Sequence, residues 1–419
     1  MTDKDACSDA IIESMSSICG TDHVTVSEEV SDYGFMQQHR PQLLVSPGSV
    51  EEIQEIVRFA TASGVPLIAL GGGTRIAQVL GRMNHGIAVC TRRLDRISEF
   101  EPGNLSLRCG SGTLPAAVRE LTTDHNLQLA ILADFDHSTV GGQVASDFSG
   151  WKRYRYGASG DYVLGLSFVS TDGKHVSTGG KTVKNVSGYD FTRLLSGSWG
   201  RFGIITSVTF KLLPRPEKEL LAVKDFSDAE EALEEGVDIL SKVADPCSCN
   251  LIGDRKHADI RLVLCLEGSS ELVSSQLNRL QLGTGWRLET SEGNRDTAAE
   301  EYACRRRAMK RDIFHTAAID KRLLAKTFPL LRLLAKYHCS YDFDLSAGLL
   351  EFSSADSEET SFDEFKEAWQ SAVDGQAGIR HTLVPTARPS AMFARIVERL
   401  DPHCIMFPDN LYSGGGDHD

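Results

Sequence analysis

Short apolar runs separated by glycine-rich turns fill the first half of the chain, and longer amphipathic stretches fill the second. Residues 43–46 read as a strand, Pro47-Gly48 as a turn, and Ser49 followed by Glu52 as a capping box that starts a helix. Behind the cap, Ile53, Ile56, Val57 and Ala60 share one helical face, Gly64 closes the helix, and residues 65–70 form an apolar strand. The pattern predicts a β-α-β unit that runs into Gly71, Gly72, Gly73 and Thr74. Such a turn presents backbone N–H groups and tolerates a phosphate-bearing ligand.

Further along, residues 86–91 read as a buried strand, 98–108 as a strand pair broken by Pro102-Gly103, and 114–121 as a helix. Residues 205–212 alternate, with Val208, Phe210 and Leu212 on one side and Ser207, Thr209 and Lys211 on the other. Pro214 and Pro216 mark a boundary. Beyond it come a helix carrying Leu233, Val237 and Leu240, a strand at 260–266, helices near 270–280, 297–311, 322–336 and 362–372, and a strand at 348–352. Strands and helices without a β-α-β glycine signature predict an antiparallel sheet with helices on one face. Residues 1–22 read as a short helical or loose extension, and the last residues as a glycine-rich tail.

Composition narrows the function. The 419 residues are 41% hydrophobic and 24% charged, which is long enough for at least two domains. A net charge of -14 argues against a nucleic-acid partner, since phosphate binding is dominated by Lys and Arg. No apolar run approaches the roughly 20 residues of a membrane span, and acidic residues stand where a signal peptide would be basic, so a cytoplasmic protein is expected. The ten cysteines show no C-x-x-C pair, so no iron–sulfur cluster and no metal site are expected. A phosphate-loop reading of Gly180-Lys181-Thr182 fails because His175 stands where the first glycine belongs, and no G-x-G-x-x-G follows the strand at 65–70, because Ile76 takes the third position. Arg305, Arg306, Arg307, Lys310 and Arg311 read either as a solvated helix face or as an anion clamp. His137 is a loop histidine placed near the next glycine turn.

The stretch 136–211 carries the most specific text: Thr139-Val140-Gly141-Gly142, then RYRYGASGDYVLG, KTVKNVSGYD and GSWGRFGIITSVTFK. With GGGT upstream and DPHCIMFPDNLY near the end, this order resembles the vanillyl-alcohol-oxidase/p-cresol-methylhydroxylase (PCMH) type of FAD-binding family, and more narrowly the E subunit of glycolate oxidases. The resemblance implies an α+β fold: a two-subdomain FAD-binding domain followed by an α+β cap domain with an antiparallel sheet. The boundaries expected are an extension at 1–22, the FAD domain at 23–216, the substrate or cap domain at 217–400, and a segment at 401–419 that returns to the FAD domain. It implies that Gly71, Gly72, Gly73 and Thr74 cradle the diphosphate, that Thr139, Val140, Gly141, Gly142, Ser149 and Gly150 line the other side, and that Gly203, Ile204 and Ile205 lie near the adenosine.

Three positions depart from the family's pattern: Asp147 and Phe148 replace Asn and a small residue, and Gly160 replaces Arg. An acidic Asp147 beside a diphosphate would oppose binding. No histidine follows GGGT in the place used by covalently flavinylated relatives, so noncovalent FAD is expected. Nothing between residues 220 and 412 matches the His-x-Gly-Asp-Gly-Asn-x-His segment of D-2-hydroxy-acid dehydrogenases. The resemblance therefore implies a subunit of a glycolate (2-hydroxy-acid) oxidase or dehydrogenase, working with a second FAD-containing subunit and an iron–sulfur subunit. Two alternatives remain. One is a free-standing FAD-dependent oxidoreductase on another small hydroxylated substrate, anchored by the Arg305–Arg311 cluster or by Arg388; the other is a noncatalytic scaffold that has lost flavin.

Overall fold

The structure is a computed structural model that describes residues 3–26, 41–75, 86–131, 137–148, 150–180, 190–253, 260–291, 313–354, 362–373, 378–382, 391–403 and 405–406. The chain divides into two compact units, one of Met1–Ser149, Ala158–Pro214 and Pro385–Asp419, the other of Gly150–Gly157 and Arg215–Val384.

The first unit opens with α1 (Asp3–Cys19), β1 (Val24–Val26) and β2 (Leu43–Val45). Helix α2 (Val50–Ser63) then leads to β3 (Leu67–Leu70), and β4 (Ile87–Cys90) follows. The start of α2 is set by local chemistry. Ser49 Oγ accepts the Glu52 N–H at 3.1 Å, while Glu52 Oε2 accepts the Gly48 N–H at 2.7 Å. Gly64, at φ 65°, ends the helix. Ile53, Ile56, Val57 and Ala60 are buried against β2, β3 and β4, and each fully buried Ile or Val stabilises the unit by roughly 1.5–3 kcal/mol. The sheet order is β1-β2-β4-β3, so the crossover from β2 to β3 leaves a slot that β4 fills, parallel to both. At its far edge, Leu67 bridges Met406 and donates its N–H to Ile405 O at 2.8 Å. Asp401 holds that segment by accepting the Ile405 and Met406 amides at 3.0 and 2.8 Å.

A second sheet completes this unit. In chain order come β5 (Ile97–Glu101), β6 (Ser106–Gly110), α3 (Pro115–Thr123), β7 (Leu127–Gln128), α4 (Val140–Ala145), β8 (Val163–Val169), β9 (His175–Gly179), α6 (Phe191–Leu195), β10 (Ile204–Lys211) and β11 (Leu213–Pro214). The five-stranded antiparallel order is β5-β6-β10-β8-β9, and β7 pairs with β11. Val208, Phe210 and Leu212 are fully buried, as the alternation predicts.

The second unit is built on an eight-stranded antiparallel sheet. Its elements are α5 (Arg153–Tyr156), β12 (Lys218–Phe226), α7 (Ala229–Lys242), β13 (Ser248–Gly253), β14 (Ile260–Gly268), α8 (Ser270–Leu280), β15 (Arg287–Ser291), β16 (Ile313–Ile319), β17 (Ser340–Asp344), β18 (Leu349–Ser354) and β19 (Ile379–Thr382). The order is β15-β12-β14-β13-β17-β18-β16-β19. One face packs Leu220, Leu264 and Phe352 against Leu233 of α7, Val273 of α8, and Phe365 and Trp369 of the helix Phe362–Val373. The helix expected at 322–336 is divided into a 3-10 turn, Lys321–Lys326, and a helix, Phe328–Lys336. Pro329 explains the break, because it lacks an N–H to continue a helix but fits the first turn of a new one. The helix expected at 297–311, with its arginine cluster, lies outside the described residues.

Positions alternate to the core-facing leucines carry a buried charge network. Lys152, from the segment Gly150–Gly157, places Nζ 2.9 Å from Glu219 Oε2 and 2.7 Å from Glu267 Oε2. Tyr156 donates its hydroxyl to Glu267 Oε1, and Arg155 Nη1 donates to the Glu267 carbonyl at 2.7 Å. Burial pushes the Glu267 carboxyl up, yet the Lys152 charge and the hydrogen bonds from Lys152 and Tyr156 outweigh it and hold the group below its ordinary value. Burial and the neighbouring Glu267 carboxylate push the Tyr156 phenol well up.

Candidate cofactor site

The turn after β3 is held by its carbonyls. Leu70 O accepts from Thr91 Oγ1 at 3.4 Å, Gly71 O from Cys90 Sγ at 3.6 Å, and Gly72 O from Arg92 Nη2 at 3.4 Å. Among the described residues, neither Gly72 nor Gly73 donates its amide to a protein acceptor. The opposing wall is the start of α4. Thr139 Oγ1 accepts the Gly142 N–H at 3.2 Å, and the Val140 and Gly141 amides donate to Thr113 O and Ser111 O at 2.9 and 2.8 Å. Glycine is required where these walls meet. A Cβ on Gly71 would lie 2.1 Å from Thr139 Oγ1, and one on Gly72 would lie 1.6 Å from the His137 carbonyl oxygen.

Between the walls lies an open cleft, with ≈ 710 Å³ of empty space when the solvent at its mouth is included. Gly71, Gly72, Gly73 and Thr74 line one side; Thr139, Gly141 and Gly142 line another; Gly203, Ile204 and Ile205 line a third. Arg75 is the single charged side chain among the described lining residues, and none of them is an acid, a histidine or a cysteine. Its guanidinium carbon sits 4.1 Å from the centroid of the Phe148 ring. A buried lining hydroxyl, Ser111 Oγ, has no hydrogen-bond partner among the described residues. Among the described lining residues, free amides, one cation, no carboxylate and an orphaned hydroxyl form a donor set that fits a dinucleotide diphosphate flanked by neutral polar groups. Among the described residues no His, Cys, Asp and Glu group could hold a metal ion.

Not every residue expected at this site lines the cleft. Val140 is fully buried inside the first unit, and Gly150, at φ 62°, belongs to the second unit with the Lys152 segment. Ser149 lies outside the described residues, as do Arg388 and residues 184–189, which carry all but the last letter of KNVSGYD. His137 is exposed and contributes its backbone to the wall. Asp147 is absent from the lining: its carboxylate accepts from Ser159 Oγ at 3.1 Å and Gly160 N at 3.3 Å, at a left-handed φ of 48°. The opposition expected from its charge is thus redirected into holding the 158–160 turn. Arg75, Ser111, Ser138, Gln143, Ser146 and Trp199 also line the cleft and were not anticipated. Gln143 was findable at helical spacing from Thr139, whereas Ser111 sits in a Gly-Ser-Gly turn with no motif of its own.

Comparison with known proteins places these walls in a family context. Residues 41–179 match the FAD binding domain family. The chain is 30% identical over 201 residues to a D-lactate dehydrogenase of Archaeoglobus fulgidus, covering 48% of this chain and 45% of that protein. It is 31% identical over 195 residues to the glycolate oxidase subunit GlcD of Bacillus subtilis, covering 46% and 42%. The chain therefore matches less than half the length of these curated relatives. Among solved structures, it is similar to a chitooligosaccharide oxidase, with a TM-score of 0.73 and 14% identity over 96% of this chain and 99% of that one. It is also similar to 4-ethylphenol oxidase from Gulosibacter chungangensis, with a TM-score of 0.72 and 18% identity over 97% of each. The fold is α+β and is the one these two oxidases share, with the FAD binding domain match largely in the first unit and an antiparallel α+β second unit. Among the described residues no helix is long and apolar enough to cross a membrane.

Proposed function

We propose that this chain is an FAD-dependent oxidoreductase subunit acting in the oxidation of a small 2-hydroxy acid such as glycolate, with FAD held noncovalently in the glycine-walled cleft. Its partners are a second FAD-containing subunit and an iron–sulfur subunit that receives the electrons, and the assembly works in the cytoplasm. The observation that carries the reading is the cleft itself, which lies within and beside the stretch matching the FAD binding domain and offers amides and Arg75, with no carboxylate among its described lining residues. Bound FAD supplies hydride acceptance followed by single-electron release.

The chain's own residues do the binding. Gly71, Gly72, Gly73 and Thr74 hold the diphosphate through backbone N–H groups; Thr139, Gly141 and Gly142 close the other side; Gly203, Ile204 and Ile205 face the adenosine. The noncovalent attachment rests on the sequence, where no histidine follows Gly71–Thr74 in the place used by covalently flavinylated relatives. The named D-lactate and glycolate enzymes support the substrate class. The subunit role rests on the missing metal-binding histidine segment.

The test is an anaerobic visible spectrum of the purified chain with FAD, before and after adding glycolate or D-lactate. A flavin band that persists until the partner subunits are added is the expected result. A band that bleaches with the chain alone overturns the subunit role in favour of a free-standing oxidoreductase, and failure to bind FAD overturns the proposal entirely.

A further inference from the structure

Two hydroxyls beside the cleft are buried and unsatisfied. Ser111 is 1% exposed and Thr206 4%, and among the described residues neither Ser111 Oγ nor Thr206 Oγ1 has a hydrogen-bond partner. Buried hydroxyls are nearly always paired, because leaving one without a partner forfeits its hydration. The two residues are joined, since the Ser111 N–H donates to Thr206 O at 3.0 Å.

The backbone at this point is specialised. Along β10, Ile205 pairs with Phe168 of β8 and Ser207 pairs with Ser167, so Thr206 is the extra residue of a bulge. Bulges re-aim side chains and gather next to binding sites. Ser111 follows β6 directly, and its carbonyl already accepts the Gly141 amide at 2.8 Å. A Cβ on Gly141 would fall 2.5 Å from Ser111 Cβ, so the α4 wall presses against Ser111 and offers its hydroxyl no acceptor. Ser111 lines the same cleft as Ile205, the residue before Thr206, and Arg75 is the single charged side chain among the described lining residues. A neutral hydroxyl suits a neutral polar group better than a phosphate, which draws charged donors such as Arg75.

We infer that the Ser111 hydroxyl, positioned by the Thr206 bulge, hydrogen-bonds the adenosine half of the bound dinucleotide, at a ribose hydroxyl or a base edge. The inference rests on the FAD reading of the cleft and adds to it a side chain that contacts the ligand. Thr206 acts as the positioning residue behind it.

The experiment titrates FAD, ADP and FMN separately into the full-length apoprotein and into Ser111→Ala and Thr206→Val, following binding by calorimetry and apoprotein stability by thermal melting. Ser111→Ala is expected to weaken FAD and ADP by about tenfold each, the worth of one hydrogen bond, and to leave FMN unchanged. Its apoprotein should melt no lower than wild type, because the orphaned hydroxyl is gone. Thr206→Val should show the same pattern more weakly. Unchanged FAD and ADP affinities in Ser111→Ala, with FAD bound by wild type, overturn this inference and leave the FAD reading standing. A loss for FMN without one for ADP also overturns it, by placing the hydroxyl at the flavin end. Failure of wild type to bind FAD removes the reading and the inference together.

Discussion

Replacing Lys152 with methionine isolates the charge network of the second unit. The ammonium is buried between two carboxylates, with side-chain exposures of 6% for Lys152, 7% for Glu219 and 0% for Glu267. Removing one partner of such a pair strands the other charge in a medium that solvates it poorly, at about 3–5 kcal/mol. Against a total of roughly 5–15 kcal/mol for a domain, that is a large share. The pH dependence identifies the cause. In wild type the Glu267 carboxyl is held below its ordinary value, so its contribution is present above pH ~4.3 and is lost as pH falls. In Lys152→Met, burial is opposed by less charge and the carboxyl rises, so the variant's deficit should be largest near pH 7–8 and shrink toward pH 4. Three of the four tryptophans, Trp151, Trp286 and Trp369, lie in the second unit, so urea unfolding followed by tryptophan fluorescence reports on it. The triple variant Lys152→Met, Glu219→Gln, Glu267→Gln should recover most of the loss. A Lys152→Met midpoint within about 1 kcal/mol of wild type at pH 7, or a deficit that grows on acidification, would refute the reasoning.

Two further perturbations follow from the geometry. Gly72→Ala drives a methyl into the His137 carbonyl and should cost well beyond the ~1–3 kcal/mol of ordinary overpacking, whereas Gly142→Ala is tight only against Thr139 Oγ1, at 3.2 Å, and gains up to ~1 kcal/mol of helix propensity. Thermal melting should therefore separate the two, and an FAD titration should show Gly142→Ala folded but at least about tenfold weaker, its methyl standing in the cleft; wild-type affinity there would count against the cleft as the FAD site. Burial pushes the Asp344 carboxyl up to about 7, past the lowering effect of the Ser346 and Ala347 hydrogen bonds, with Asp342 adding to the rise. A raised carboxyl favours the folded state below pH ~4 and loses that advantage as pH climbs to 7, so Asp344→Asn should gain on wild type by roughly 4 kcal/mol across that window; a pH-independent difference in urea midpoints would contradict this.

What could be read from the chain alone was what its neighbours in sequence determine. Ser49 and Glu52 are three residues apart, so their cap is written in one turn of text, and the alternation at Val208, Phe210 and Leu212 needs only the pleat. The glycine walls were legible for the same reason, since Gly71–Thr74 and Thr139–Gly142 each form a local turn. The remainder depends on partners far away in the chain. Lys152 draws its segment into the second unit through Glu219, 67 residues on, and Glu267, 115 residues on, which is why Gly150 leaves the site that its motif suggested. The Thr206 bulge exists only as a register between β10 and β8, and no residue type announces it. Pro329 did announce its break, but the leucine periodicity around it masked the signal.

Asp147 offers a closing test of whether this chain still holds a flavin. A full negative charge about 4 Å from a diphosphate oxygen would be worth roughly 4 kcal/mol of repulsion at an effective dielectric of 20, enough to abolish useful affinity. The structure directs that carboxylate elsewhere, onto Ser159 Oγ and Gly160 N, while the residue keeps the left-handed backbone that Asn and Asp adopt most readily. Asparagine can accept both hydrogen bonds through its amide oxygen and tolerates the same φ. Asp147→Asn should therefore leave the melting temperature unchanged and move FAD affinity by less than about threefold, a change well under 1 kcal/mol. If the variant instead binds FAD a hundredfold more tightly than wild type, the carboxylate reaches the diphosphate after all, and the native protein is the scaffold that has given up its cofactor.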